Sequence, residues 1–181
     1  MMLRNTPDSF GIVTRVLHWS IAGLVVVMLS LGLRLADMQP GLSNLWLYSL
    51  HKSLGLITLA LMLCRVLWHV YSRPPKPLGG GWPARAARVA HGVIYALLIA
   101  IPLSGWAASS ATGIDVMLFD RWVVPAIAPV SITLEERGFA LHAILTKLLI
   151  GVIFLHMLGA LKREMDGDGT LRRMIKGRAR G

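Results

Sequence analysis

Four of the six histidines in this 181-residue chain sit at the ends of strongly apolar segments: His18, His51, His142 and His156. A bilayer-spanning segment carries imidazole when something there needs a ligand or a polar partner. His142 and His156 share one segment and lie 14 residues apart. At about 1.5 Å per residue that is roughly 21 Å of helix, and 14 steps of about 100° return to nearly the same face. One face of one helix then offers a nitrogen ligand near each side of a membrane. That arrangement can hold two haems stacked across a bilayer.

The elements that must position these residues follow from composition. Hydrophobic residues make up 55% of the chain and charged residues 15%, with a mean hydropathy of +0.61. A soluble protein of this size would lack the polar surface to cover its core, so an integral membrane protein is expected. Apolar runs fall at about residues 16–33, 50–71, 89–114 and 138–161. Each is near the roughly 20 residues a helix needs to cross. None shows the period-2 alternation of a barrel strand. The expected fold is an all-α, four-helix membrane bundle in a single transmembrane domain spanning residues 1–181. Pro102, followed by Ser104 and Gly105, interrupts the third helix and is expected to kink it. The run from Arg73 through Pro77 to Gly81 is a break. Residues 115–137, with Trp122, Pro125 and Pro129, read as an interfacial loop with room for a short helix.

The net charge is +10, but the cations flank the apolar spans, which argues for membrane topology and against nucleic-acid binding. Arg4 and Arg15 precede the first span. Arg73, Lys76, Arg85 and Arg88 lie between the second and third. Lys162, Arg163, Arg172, Arg173, Lys176, Arg178 and Arg180 follow the fourth. The positive-inside rule places both termini in the cytoplasm. Trp19, Trp46, Trp68, Trp82, Trp106 and Trp122 lie mostly near span ends, as interface anchors do. The single cysteine, Cys64, excludes an internal disulfide. The first apolar run ends in Arg34-Leu35-Ala36-Asp37 without a small-residue cleavage pattern, and reads as a span rather than a removable signal.

Orientation converts sequence position into depth. His18 opens the first helix on the inner side. His51 and His142 open helices that start outside, and His156 lies toward the inside. Two pairs at matched depth result: His18 with His156, and His51 with His142. Bis-imidazole ligation suits haem b, because filling both axial positions favours electron transfer over oxygen binding. Arg65 lies 14 residues after His51, near the depth of His156. It reads either as the partner of the inner haem's propionate or as a cation snorkelling to the interface. His69 is 18 residues past His51, and reads as a competitor of His18 or as a plain interfacial histidine. His91 opens the third helix, with a propionate contact, a proton relay or an interfacial role open to it. Lys147 is five residues past His142, about 140° around the helix. It either snorkels outward or lines a quinone or anion site. Gly23, Gly32, Gly55, Gly105, Gly151 and Gly159 read as sites of close helix packing or haem approach. No nucleotide-binding, nucleophile-elbow or metalloprotease motif is present.

These residues carry a family resemblance. Arg15-Val16-Leu17-His18-Trp19, His51-Lys52-Ser53-Leu54-Gly55, His91-Gly92-Val93-Ile94-Tyr95 and Asp168-Gly169-Thr170-Leu171-Arg172-Arg173-Met174, together with His142 and His156, resemble the prokaryotic cytochrome b561 family over nearly the whole chain. The resemblance implies a di-haem b protein of the bacterial inner membrane, with His18, His51, His142 and His156 as the iron ligands; His69 has no counterpart in the pattern. It is greatest to the small members that oxidise superoxide with ubiquinone as acceptor. That activity would use a cationic funnel at the outer face, for which Lys52, Arg121, Arg137 and Lys147 are candidates. Asp115, Asp120, Glu135 and Glu136 share the outer loop and oppose it. A second function fits the same residues: an electron-transfer cytochrome b subunit linking the quinone pool to a periplasmic redox protein. A sensory haem protein is a third, though the short soluble segments leave little room for an output domain. The expected partners are membrane lipid, ubiquinone, and superoxide or a periplasmic redox protein, with no nucleic acid.

Overall fold

A computed structural model describes residues 2–178; Arg180 of the basic tail lies outside the described residues. Four long helices dominate: α1 (Ile12–Ala36), α2 (Leu45–Tyr71), α3 (Gly81–Ala111) and α4 (Ile132–Met165). All four are long and apolar enough to cross a membrane. The all-α class expected from composition therefore holds. A short hairpin, β1 (Val116–Leu118) and β2 (Trp122–Val124), precedes α4, and a seven-residue helix, α5 (Thr170–Lys176), follows it.

The helices overrun the apolar runs because hydropathy marks the lipid-facing stretch, whereas helix ends obey local hydrogen bonding. The start of α4 precedes residue 138 because Ser131 caps it: the Ser131 hydroxyl accepts the amide of Leu134 and its carbonyl the amide of Glu135. Glu135 in the first turn suits the positive helix end. At the other side, α3 stops before residue 114. Gly113 takes φ +78 and donates its amide to the Ser110 carbonyl, a left-handed helix stop. Pro102 lies inside α3.

The loop expected over residues 115–137 is corrected by the structure: it contains an antiparallel hairpin, with Val116 opposite Val124, and from Ile132 onward it belongs to α4. Three residues, 119–121, separate the paired Leu118 and Trp122. Phe119 (φ 51) and Asp120 (φ 55), at the centre of the turn that the Arg121 amide closes on the Leu118 carbonyl, are both left-handed, as the primed turns require. Two serines of α2 hold this uncommon geometry. Ser53 Oγ accepts the Phe119 amide at 2.8 Å, and Ser49 Oγ donates to Asp120 at 2.5 Å. These serines flank His51 and Lys52 on α2.

The chain forms two compact units. The first joins Met1–Ile21, Leu61–Ala96 and Leu149–Gly181; the second joins Ala22–Ala60 and Leu97–Leu148. In the first, residues 5–11 and α5 build a polar cap. Arg173 is buried and donates to the carbonyls of Asp8, Lys76 and Pro7. Phe10 donates its amide to the Gly177 carbonyl at 2.7 Å. Trp68 and Trp19 act here as anchors, donating to Thr14 Oγ1 and to the Met174 carbonyl.

In the second unit the core is thin, with Val25, Leu59, Leu97, Leu98, Ala108 and Val116 inside. Gly138 makes close packing possible there: a Cβ at this position would stand 2.7 Å from Ala108 Cβ. Large apolar side chains such as Val26, Ile144 and Leu148 are exposed, as lipid contact demands. Over its 34 residues α4, the helix of His142 and His156, buries only Leu149. Its remaining apolar surface is available to lipid and to an apolar cofactor.

Candidate functional site

In the second unit, α2 and α4 bring His51 and His142 together, with ring centroids 6.2 Å apart and planes at 78°. Two imidazoles sharing one metal at nitrogen distances of about 2.0–2.1 Å place their centroids roughly 6 Å apart. The observed spacing fits that requirement. His142 Nδ1 donates to the Ile101 carbonyl at 2.9 Å. This fixes the ring proton on Nδ1 and leaves Nε2 as the free nitrogen, the usual preparation of a histidine ligand. Ser104 Oγ lies 3.3 Å from the same Nδ1. His51 Nδ1 is buried without a partner among the described residues.

Two glycines give these rings their room. A Cβ at Gly105 would stand 3.0 Å from His142 Cε1 and Nδ1, and one at Gly32 would stand 3.2 Å from His51 Cε1. Close approach was the expected use of both. Gly55 would meet only Met28, and a Cβ at Gly23, Gly151 or Gly159 would meet nothing within 4 Å.

Four histidines populate the first unit. Arg65 is 6% exposed and lies between them. Its Nε donates to Tyr95 Oη at 2.7 Å and its Nη1 to His18 Nδ1 at 3.1 Å. No carboxylate pairs with it among the described residues, where the ion pairs are Lys162–Asp166 and Arg163–Asp168. A guanidinium buried in an apolar span without a counter-ion is costly, so this position is suited to an anionic group such as a propionate.

Arginine carries only donors. His18 Nδ1 therefore accepts from Arg65, and the His18 ring proton sits on Nε2 in this arrangement. Iron ligation by Nε2 would require Arg65 to turn away and the proton to leave Nε2. The ring touching His156 is that of His91, with centroids 5.0 Å apart and planes at 79°. His91 Nδ1 donates to the Ala87 carbonyl at 2.6 Å. His69 Nδ1 lies 3.1 Å from Tyr95 Oη, and its Nε2 is buried with no partner among the described residues. Tyr95 is the residue that sequence reasoning missed. Its signal was present: Arg65 and His69 are one helical turn apart and share a face of α2, so one partner can serve both.

Of the candidate steering residues, Lys52 is half-buried beside His51, while Arg121, Arg137 and Lys147 are exposed. The side chains of these last three make no hydrogen bond or ion pair among the described residues.

A family model described as prokaryotic cytochrome b561 matches residues 9–177. The chain belongs to the prokaryotic cytochrome b561 family. Its relatives include "Cytochrome b561 homolog 2" of Escherichia coli strain K12, 34% identical over 97% of this chain and 95% of that protein. They also include "Probable superoxide oxidase CybB" of Yersinia pestis, 32% identical over 88% of this chain and 91% of that protein. Membership makes the chain a multi-pass bacterial membrane cytochrome of the electron-transfer class, and it implies haem b. The imidazole pair, its glycine cradle and the anion-ready Arg65 are the features into which that group fits.

Proposed function

We propose that the chain is a di-haem b oxidoreductase acting as one transmembrane domain, taking electrons from superoxide at the periplasmic side and delivering them to ubiquinone. The observation that carries this reading is the His51–His142 spacing of 6.2 Å, at which the two imidazoles would hold one iron between them. His51 and His142 serve the outer haem, and His18 and His156 the inner one. Bound haem supplies the one-electron relay between a one-electron donor and a two-electron acceptor. Two superoxide ions become two dioxygen molecules, and ubiquinone takes two electrons and two protons.

The chain's own residues do the positioning. Ile101 holds the His142 tautomer, and Gly105 and Gly32 admit the rings. Arg65 would hold the inner haem's propionate, which would leave the His18 ring free to serve as a ligand. Lys52, supported by Arg121, Arg137 and Lys147, attracts the anion to the outer face. Both termini are cytoplasmic, in keeping with the basic inner loops.

One observation supports the reading in which a periplasmic redox protein replaces superoxide. Asp120 is exposed and hydrogen-bonded to Ser49, two residues before His51, and a fixed acidic group suits a cationic protein partner.

The deciding experiment uses the purified full chain with its haem. Haem per chain is measured first, and a value near two is expected. Superoxide is then generated in the presence of a soluble ubiquinone, and quinol formation is followed. Haem per chain near one sinks the two-site model. A di-haem protein that forms no quinol from superoxide leaves the redox-protein reading in its place.

A further inference from the structure

One arrangement of hydrogens pairs every donor with an acceptor among Arg65, Tyr95 and His69 Nδ1. Arg65 Nε can only donate, so Tyr95 Oη accepts from it at 2.7 Å. Tyr95 has one hydrogen left, and His69 Nδ1 lies 3.1 Å away in position to accept it. With Nδ1 accepting, the single proton of neutral His69 sits on Nε2. That N–H is buried and has no acceptor among the described residues. A buried donor left unpaired is costly, because its desolvation is not repaid. The Tyr95 ring also stacks on the imidazole, with centroids 6.1 Å apart and planes at 18°. Three side chains thus hold an unsatisfied N–H in one orientation.

We propose that His69 Nε2–H is the hydrogen-bond donor to a carbonyl oxygen of bound quinone, with Tyr95 as its positioning residue. The inference rests on the ubiquinone-reducing reading above and gives it a place in the first unit. Two properties select a quinone. The donor is neutral, which matches a neutral carbonyl arriving from an apolar phase better than an anion. His69 lies on α2 between Leu67 (68% exposed) and Val70 (76% exposed), so lipid-borne ligands reach this part of the helix. A quinone site of this kind needs an apolar setting with few, well-placed polar groups.

The test compares the di-haem protein with His69→Phe, His69→Gln and Tyr95→Phe. Ubiquinone-1 binding to the oxidised protein is measured by calorimetry, without superoxide. Haem content and the redox potentials are recorded alongside. His69→Phe is expected to keep both haems and both potentials while weakening ubiquinone-1 binding tenfold or more. His69→Gln, which keeps an N–H donor, should recover most of that loss. Tyr95→Phe should fall between, since the ring remains but nothing fixes its tautomer. Unchanged binding in His69→Phe overturns the proposal, as does loss of a haem. A shifted haem potential with unchanged binding also overturns it, and assigns the N–H to a propionate. Failure of the unmodified di-haem protein to bind ubiquinone-1 overturns the quinone reading itself, a result distinguishable from any variant effect.

Discussion

The guanidinium of Arg65 is satisfied by Tyr95 Oη at 2.7 Å, a neutral partner, with no carboxylate beside it among the described residues. In the proposed di-haem reading this buried cation would pair with a haem propionate.

Arg65→Leu should consequently have opposite effects on the two forms of the protein. Without haem it removes an uncompensated buried charge, so the apoprotein should melt no lower than the unmodified one. With haem it removes a propionate partner, and haem per chain should fall from near two toward one. Haem extraction assays and melting curves of both forms check this. Full retention of two haems would remove Arg65 from the haem site.

Gly105 and His142 provide a graded test of the second unit. A Cβ at 3.0 Å from the ring must displace it by a few tenths of an ångström. Gly105→Ala should lower occupancy or shift the spectrum of one haem only. Gly32→Ala, with 3.2 Å available to His51, should do the same more weakly, and His142→Ala should abolish that haem. Equal effects on both haems from Gly105→Ala would contradict the assignment.

The polar cap of the first unit hangs on Arg173. Its donors reach the carbonyls of Pro7, Asp8 and Lys76, and its guanidinium lies 5.3 Å from the Phe10 ring centre. Hydrogen bonds to a charged group contribute about 1.5–3 kcal/mol each and do not add fully. Arg173→Ala should therefore cost about 2–4 kcal/mol of local stability, read as lost hydrogen-exchange protection in residues 5–11 and 170–177. Arg173→Lys should recover little, because an ammonium cannot span three carbonyls in this geometry. Unchanged protection in Arg173→Ala would show that the cap is held elsewhere.

Asp168 makes the same cap sensitive to acid. Burial pushes its carboxyl upward, but hydrogen bonds from Thr170 and Arg163 outweigh that and hold it below its ordinary value. The contacts are Thr170 N–H at 2.8 Å and Arg163 Nε at 2.6 Å. A carboxyl depressed by folding contributes stability that is complete above its unfolded pKa, about 3.9. That contribution fades as pH falls through the lower folded value. The pair is partly exposed, so the effect should stay at or below about 1 kcal/mol. Exchange protection of α5 followed below pH 5 should decline in the unmodified protein and be flatter in Asp168→Asn. Parallel curves would assign the acid sensitivity to another group.

The helices and the closeness of His51 to His142 were legible in the sequence for one physical reason. Periodicity and depth along a helix are nearly one-dimensional quantities, so His51 and His142 could be matched without knowing any packing. The hairpin was not legible. Its turn, Phe119-Asp120, lacks the glycine or asparagine that usually marks left-handed residues, and its support comes from Ser49 and Ser53, about 70 residues away. In the first unit, depth alone could not rank His18, His69 and His91 against one another. Their roles turn on which nitrogen carries the proton, and that depends on Tyr95 and the Ala87 carbonyl.

The Arg173 cap also has a consequence for biogenesis. Residues 7–10 leave the ribosome long before residues 173–178, yet Phe10 bonds Gly177 and Ser9 bridges Arg178. The early segment must wait, without these partners, until all four spans have been inserted. Closure of the cap is thus a late event in the making of the chain, possible only after α4 has been synthesised.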